Sequence, residues 1–174
     1  LSIQYLHRFL ADHDFTGESP FIPPVAEKRS EKVAIIGSGP AGLTTAYYLA
    51  MKGYQITVFE KLPVAGGMMA VGIPAYRLPR NELAAEIAII EKMGVEIRTG
   101  VTFGQDITLE SLKADGFKAV FLATGLHGSR RLGVPGEDME GVLPGVAFLR
   151  DAALNKKVAL GKKVVVVGGG NVAI

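Results

Sequence analysis

A chain of 174 residues, 48% hydrophobic and 21% charged, is long enough for one domain with a sizeable core, or for one domain and part of a second. Its 19 basic and 17 acidic residues leave a net charge of +2, too balanced to argue for nucleic acid or an anionic membrane as a partner. There is no cysteine, so a disulfide framework, a thiolate metal site and a C-x-x-C redox pair are excluded from these residues. No apolar run reaches the length that crosses a bilayer, and Gln4, His7 and Arg8 interrupt the stretch where a signal peptide would be continuous, so the default location is cytoplasmic. The chain begins without methionine and stops inside a recognisable motif, so it reads as part of a longer protein.

In residues 1–12, Ile3, Leu6, Phe9 and Leu10 recur at a helical period, and Ser2 is placed as an N-cap. This predicts a helix that packs on the main body through that stripe, with His7 and His13 at the surface. Residues 14–30 contain Gly17, Pro20, Pro23 and Pro24 and no periodicity, which predicts an extended connector pinned by Phe21 and Ile22.

Residues 32–60 are the centre of the chain. The apolar run Val33-Ala34-Ile35-Ile36 leads into Gly37-Ser38-Gly39-Pro40-Ala41-Gly42, then an Ala/Leu-rich helical pattern, then Ile56-Thr57-Val58-Phe59 closed by Glu60. A Gly-x-Gly-x-x-Gly turn alone would be weak evidence, since any tight strand-to-helix turn can use it. With strand, helix, second strand and acid in order, it predicts a βαβ unit that binds a dinucleotide. Gly37 allows the sharp turn, Gly39 clears space for a diphosphate and Gly42 lets the helix approach the sheet, while the helix N-terminus favours negative charge. Glu60 is placed to accept both hydroxyl protons of an adenosine ribose and would repel a 2′-phosphate.

After Glu60, Lys61-Leu62-Pro63-Val64-Ala65-Gly66-Gly67-Met68-Met69 adds a loop with paired glycines. A simple NAD site does not need this loop, which suits a longer cofactor lying close to backbone and favours FAD. Residues 72–79 carry two prolines and are not regular helix. An amphipathic helix follows over 80–93, with Leu83, Ile87, Ile90 and Met93 on one face and Asn81 as its cap; residues 95–98 then alternate as a short strand. Thr108 precedes one or two helical turns over 109–114. The continuous apolar run 119–123 reads as a central parallel strand buried on both faces, and it ends in Thr124-Gly125 at the carboxyl edge of the sheet, where ligands sit in such folds. Residues 126–145 are rich in glycine and irregular, and 151–158 form a short helix ending in Lys156-Lys157. Finally, four valines, 164–167, precede Gly168-Gly169-Gly170-Asn171-Val172-Ala173, a second dinucleotide fingerprint with alanine at its third position.

Two fingerprints, an acid-loop-Gly-Gly after the first, and Ala123-Thr124-Gly125 between them resemble the flavoproteins with two dinucleotide-binding domains. Gly72-Ile73-Pro74 with Arg77-Leu78-Pro79, and Gly133-Val134-Pro135-Gly136-Glu137, narrow the resemblance to the glutamate synthase small-subunit family of NAD(P)H-dependent FAD oxidoreductases. The resemblance implies an α/β fold. Residues 1–30 would be an N-terminal helix and linker, 31–150 a Rossmann-like FAD-binding domain, and 151–174 the start of a second, truncated Rossmann domain. It implies FAD held by Gly37, Gly39, Pro40, Ala41, Gly42, Glu60, Lys61, Gly66, Gly67 and Met68, with Val101 near the adenine and Thr124 and Gly125 near the isoalloxazine or diphosphate. Gly168, Gly170, Asn171, Val172 and Ala173 would open a site for NADPH or NADH. Electrons would pass from NAD(P)H through FAD to iron–sulfur centres or a partner subunit, with the clusters outside this chain and no side chain acting as acid or base. Two other readings are a plain NAD-dependent dehydrogenase and a non-catalytic nucleotide-binding module.

Overall fold

The structure is a computed structural model and describes residues 2–17 and 20–174. Its centre is a four-stranded, wholly parallel sheet built from β1 (Lys32–Ile36), β2 (Gln55–Glu60), β3 (Glu96–Thr99) and β4 (Phe117–Leu122) in the order β3-β2-β1-β4. β1 runs in register with β2 from Lys32 opposite Gln55 to Ile36 opposite Phe59, and it pairs on its other side with β4. β1 and β2 therefore have partners on both sides. They are the two strands buried almost throughout, as expected for parallel strands covered on both faces.

Alternation along β1 divides the core. Val33 and Ile35 face one layer, where they join Ala46 and Ala50 of α2 (Pro40–Met51), Val58, Met93 and Val95. Ala34 and Ile36 face the other, with Phe59 and Leu112 of α5 (Leu109–Ala114). A third cluster joins Leu43 of α2 to Ala70 and Val71 of α3 (Met68–Val71) and to Leu83 and Ile87 of α4 (Arg80–Lys92). It is this cluster that ties the loop after β2 to the sheet.

α5 starts as expected at Thr108, with a reciprocal capping box: Ser111 N–H donates to Thr108 Oγ1 at 3.2 Å and Thr108 N–H to Ser111 Oγ at 2.9 Å. Residues 72–79 form no regular helix and 126–144 form no regular helix or strand, again as expected.

Several elements differ from the sequence expectation. α1 (Ile3–Thr16) is longer than predicted and buries none of its residues, and Ile3, Leu6, Phe9 and Leu10 all face outward. The helix touches the body through its other side, where the Arg8 guanidinium pairs with Glu82 of α4. Ser2 occupies the N-cap position but contributes its carbonyl, accepting from Tyr5 N–H at 3.0 Å, and not its side chain. Phe21 and Ile22 are exposed, and the connector is held instead by buried Pro23 and by backbone bonds from Ala26 to Met51 and from Arg29 to Gly53. Pro79, not Asn81, stands at the N-cap of α4, because its fixed extended backbone turns the chain into the helix. Met68 and Met69, read as part of the loop, open α3. β4 is at the sheet edge, with Phe121 and Leu122 exposed, and not in the centre. The last helix, α6 (Gly145–Ala153), begins and ends earlier than 151–158. Pro144 caps its start, and Asn155, in left-handed conformation at φ 55°, follows its end. The valines 164–167 form no strand and pair with nothing among the described residues; Val165 is 86% exposed.

Candidate functional site

The carboxyl ends of β1, β2 and β4 meet at the first fingerprint. Gly37 N–H donates to the Phe59 carbonyl at 2.8 Å and Ala123 N–H to the Ile36 carbonyl at 2.8 Å, so three strand tips are laced together where the chain turns. Gly37 sits at φ +105°, and a Cβ there would lie 2.4 Å from the Ala123 carbonyl oxygen. At Gly42 a Cβ would come within 1.9 Å of the Gly37 carbonyl oxygen, so any side chain would force α2 off the turn. The first bond of α2 runs from Leu43 N–H to the Gly39 carbonyl, and the Ala41 and Gly42 N–H groups ahead of it are open at the positive end of the helix dipole. Pro40 fits the first helical position because its missing N–H has no partner there in any case.

The loop after β2 folds down onto this helix start. Gly66 N–H donates to the Ser38 carbonyl at 3.1 Å and to Ser38 Oγ at 3.2 Å. Gly67, in left-handed conformation, is so close to the turn that a Cβ on it would lie 2.6 Å from Gly39 Cα. Gly39 and Gly67 thus present bare backbone side by side, which is the surface that an anionic, extended ligand needs for close approach.

Glu60 closes β2 and is buried. Its Oε2 accepts from Ser38 N–H at 2.9 Å and Ser38 Oγ–H at 2.6 Å, and its Oε1 accepts from Leu62 N–H at 2.8 Å. Three of the roughly four acceptor positions of a carboxylate are therefore filled from within the chain. The sequence reading expected two free positions for a ribose, and the geometry leaves one.

Over residues 31–174 the chain matches the family described as pyridine nucleotide-disulphide oxidoreductase. The chain belongs to that family. All of it aligns, at 50% identity over 200 residues, with 28% of the NADP(+)-dependent formate dehydrogenase subunit beta of Moorella thermoacetica. At 49% identity over 181 residues it aligns with 26% of the NADPH-Fe(3+) oxidoreductase subunit beta of Geobacter sulfurreducens. At 38% identity, 85% of it aligns with 33% of the glutamate synthase [NADPH] small chain of Mycobacterium tuberculosis. The chain spans about a quarter to a third of these relatives. Among solved structures, Mycobacterium tuberculosis FprA in complex with NADPH superposes with a TM-score of 0.60 at 25% identity, over 71% of this chain and 29% of FprA.

In this family member the residues singled out for the first site lie close together in part. Val101 N–H donates to the Glu60 carbonyl at 2.9 Å, which sets Val101 beside the tip of β2. Met68 opens α3 and packs on the third cluster, while Lys61 is exposed. Thr124 and Gly125 follow β4 at the same sheet end, and the Thr124 Cα lies against the Gly37 turn. The second group is not brought there. Gly168, Gly170, Asn171, Val172 and Ala173 form a separate turn, closed by an Ala173 N–H to Gly170 carbonyl bond of 2.8 Å, and Val172 lies against Gly145 at the start of α6.

Two residues escaped the sequence reading. Ser38 is fully buried and joins the fingerprint, the acid and the loop. In the sequence it is only a serine between two glycines, 22 residues from the acid it pairs with. Arg80 donates to the carbonyls of Met69 at 2.7 Å, Ile73 at 2.6 Å and Leu78 at 3.3 Å. A stretch broken by prolines leaves such carbonyls unpaired, and an arginine following it is the natural donor. Among the described residues no group of three or more His, Cys, Asp or Glu side chains could hold a metal ion, and no helix is long and apolar enough to cross a membrane.

Proposed function

We propose that this chain is the FAD-binding part of an NAD(P)H-dependent oxidoreductase that passes electrons to iron–sulfur centres or a partner subunit. One observation carries the choice of FAD: the Gly66–Gly67 loop is fastened onto the first fingerprint through Ser38, so Gly39 and Gly67 line one continuous strip of backbone. A ligand contacting only the fingerprint would not need the second half of that strip. The family match and the relatives' names, which specify NADPH or NADP(+) and subunits of larger assemblies, support the same reading.

In this reading Ala41 and Gly42 N–H groups hold the diphosphate, Glu60 takes a ribose hydroxyl, Val101 lies near the adenine, and Thr124 and Gly125 face the flavin end. Lys61 and Met68 line the loop side. Bound there, FAD supplies the hydride acceptor and the one-electron donor, chemistry that belongs to the cofactor. The chain's own work is to bind, orient and shield it. Residues 31–150 make this unit, residues 1–30 precede it, and 151–174 open the site for NADPH or NADH. A larger catalytic subunit or an iron–sulfur acceptor is the partner, in the cytoplasm.

The test is spectroscopic. Full-length protein purified from a riboflavin-replete host is expected to be yellow, and Glu60→Ala to weaken FAD retention about tenfold, the range for a lost hydrogen bond to a charged group. A colourless protein that refuses added FAD would remove the reading.

A further inference from the structure

Between α3 and α4 the chain passes through Pro74 and Pro79, neither of which has an N–H to donate. The Ile73 N–H, which would continue α3 by bonding the Met69 carbonyl, reaches back to Met68 at 2.9 Å, and the N–H groups of Arg77 and Leu78 both go to Pro74. The carbonyls of Met69 and Ile73 are thus left without a backbone donor among the described residues. Arg80, partly buried at the start of α4, supplies both: Nη1 donates to Met69 at 2.7 Å and Nη2 to Ile73 at 2.6 Å. In sequence these two carbonyls stand on either side of Gly72, and Gly72 is where the Met68 side chain folds back. A Cβ at Gly72 would lie 2.8 Å from Met68 Sδ. Three residues into α4, Leu83 presses on the same loop, its Cδ2 2.9 Å from where a Gly66 Cβ would stand.

We propose that Arg80 is a positioning residue for the cofactor: its planar fork holds α3 to the start of α4 and so fixes Gly67 and Met68 against the first glycine turn. Arg80 acts through those two residues and not by contact with the ligand. The inference rests on the reading that the Gly39–Gly67 strip carries FAD. The shape of the guanidinium is essential, because two nitrogens of one rigid plane meet two carbonyls four residues apart. A lysine ammonium on its flexible stem offers no such fork, so Arg80→Lys keeps one carbonyl and releases the other. Released, α3 shifts relative to the turn, and the surroundings of a bound flavin change with it.

The experiment compares wild type, Arg80→Ala, Arg80→Lys and Ile56→Val as full-length proteins, reading FAD affinity and the visible circular dichroism per bound flavin. Ile56 is buried at the start of β2, the end of the sheet away from the glycine turn, so Ile56→Val lowers stability without touching the loop. Arg80→Ala is expected to bind FAD about tenfold more weakly, the scale for acceptors left unpaired, and to change the dichroism of the flavin that remains bound. Arg80→Lys is expected to lose about threefold and to change the dichroism in the same direction. Ile56→Val is expected to keep the wild-type dichroism and to stay within about twofold in affinity. A merely structural arginine would lower the urea midpoint and leave each bound flavin with its wild-type dichroism. That result in Arg80→Ala, or the same spectral change in Ile56→Val, overturns the inference. If Arg80→Ala does not fold or retains no flavin, Arg80→Lys decides by the same dichroism. A wild type that binds no FAD refutes the reading beneath.

Discussion

The molecule contains the same device twice, and only one copy is built. At Gly37-x-Gly39-x-x-Gly42 the preceding strand has a parallel neighbour on each side, the turn is laced to two other strand tips, and a helix of 12 residues follows. At Gly168-x-Gly170-x-x-Ala173 the preceding valines are exposed and without a ladder among the described residues, and the turn is closed by its own Ala173 to Gly170 bond and meets the start of α6 only through Val172. The local pattern is nearly identical, and the second run is even richer in β-branched residues. A parallel strand is therefore made by its neighbours and by the helix that covers it, and propensity supplies only the permission.

The largest consequence is functional. Residues 1–174 loaded with FAD are expected to oxidise NADPH no faster than background, because the second turn lacks the sheet and helix that would orient a nicotinamide. An assay with an artificial electron acceptor checks this. Turnover approaching that of the full-length protein would show that the second turn is formed after all, and the contrast would collapse.

A pair of matched substitutions sharpens the comparison next. Gly42→Ala places a methyl 1.9 Å from the Gly37 carbonyl oxygen, so backbone must move, and a loss of about 3 kcal/mol is expected from overpacking of this kind. At Gly170 a Cβ meets nothing within 4 Å, and Gly170→Ala is expected to stay within about 0.5 kcal/mol. Urea unfolding of the two variants, side by side, measures the difference. Equal losses would mean that both turns belong to one cooperative unit.

This contrast also explains what could be read from the sequence. The βαβ core around Gly37, the strand read at 95–98 and found one residue later at Glu96–Thr99, and the helix after Thr108 were legible because their determinants are local: periodicity, a cap, a turn glycine. The elements that departed from expectation depend on what lies across from them. The stripe of Ile3, Leu6, Phe9 and Leu10 has the pattern of a buried face, yet it is exposed and the body is met by Arg8 on the opposite side. The run 119–123 has the composition of a central strand, and composition does not say how many neighbours are present. At the site, the glycines and Glu60 were visible by spacing. Ser38 was not, because its importance arises from hydrogen bonds to Glu60 and Gly66, far along the chain, and a serine between two glycines has no pattern of its own; Arg80 was not, because its partners are backbone carbonyls, which no side-chain pattern displays.

The smallest expected effect separates the two regions by acid titration. Glu96, on β3, has its carboxyl held below the usual carboxylate range by the hydrogen bond from Arg98, with the Thr57 hydroxyl adding to it across the strand pair and burial opposing. A depressed carboxyl contributes stability above its unfolded value and loses it as the pH falls through its folded one. The Arg98–Glu96 pair is about half exposed, so solvent screening limits the contribution to roughly 0.5 kcal/mol or less. Glu137 is held low as well, by the N–H groups of Gly133 and then Leu132, but it closes a turn in the irregular stretch before α6. Glu96→Gln should therefore shift the urea midpoint slightly near neutrality, and the shift should shrink as the pH falls through the lowered folded value of the Glu96 carboxyl. Glu137→Gln should leave the midpoint unchanged throughout. A Glu137 variant that moved the global transition would place its turn inside the cooperative unit and erase the boundary drawn between the two fingerprints.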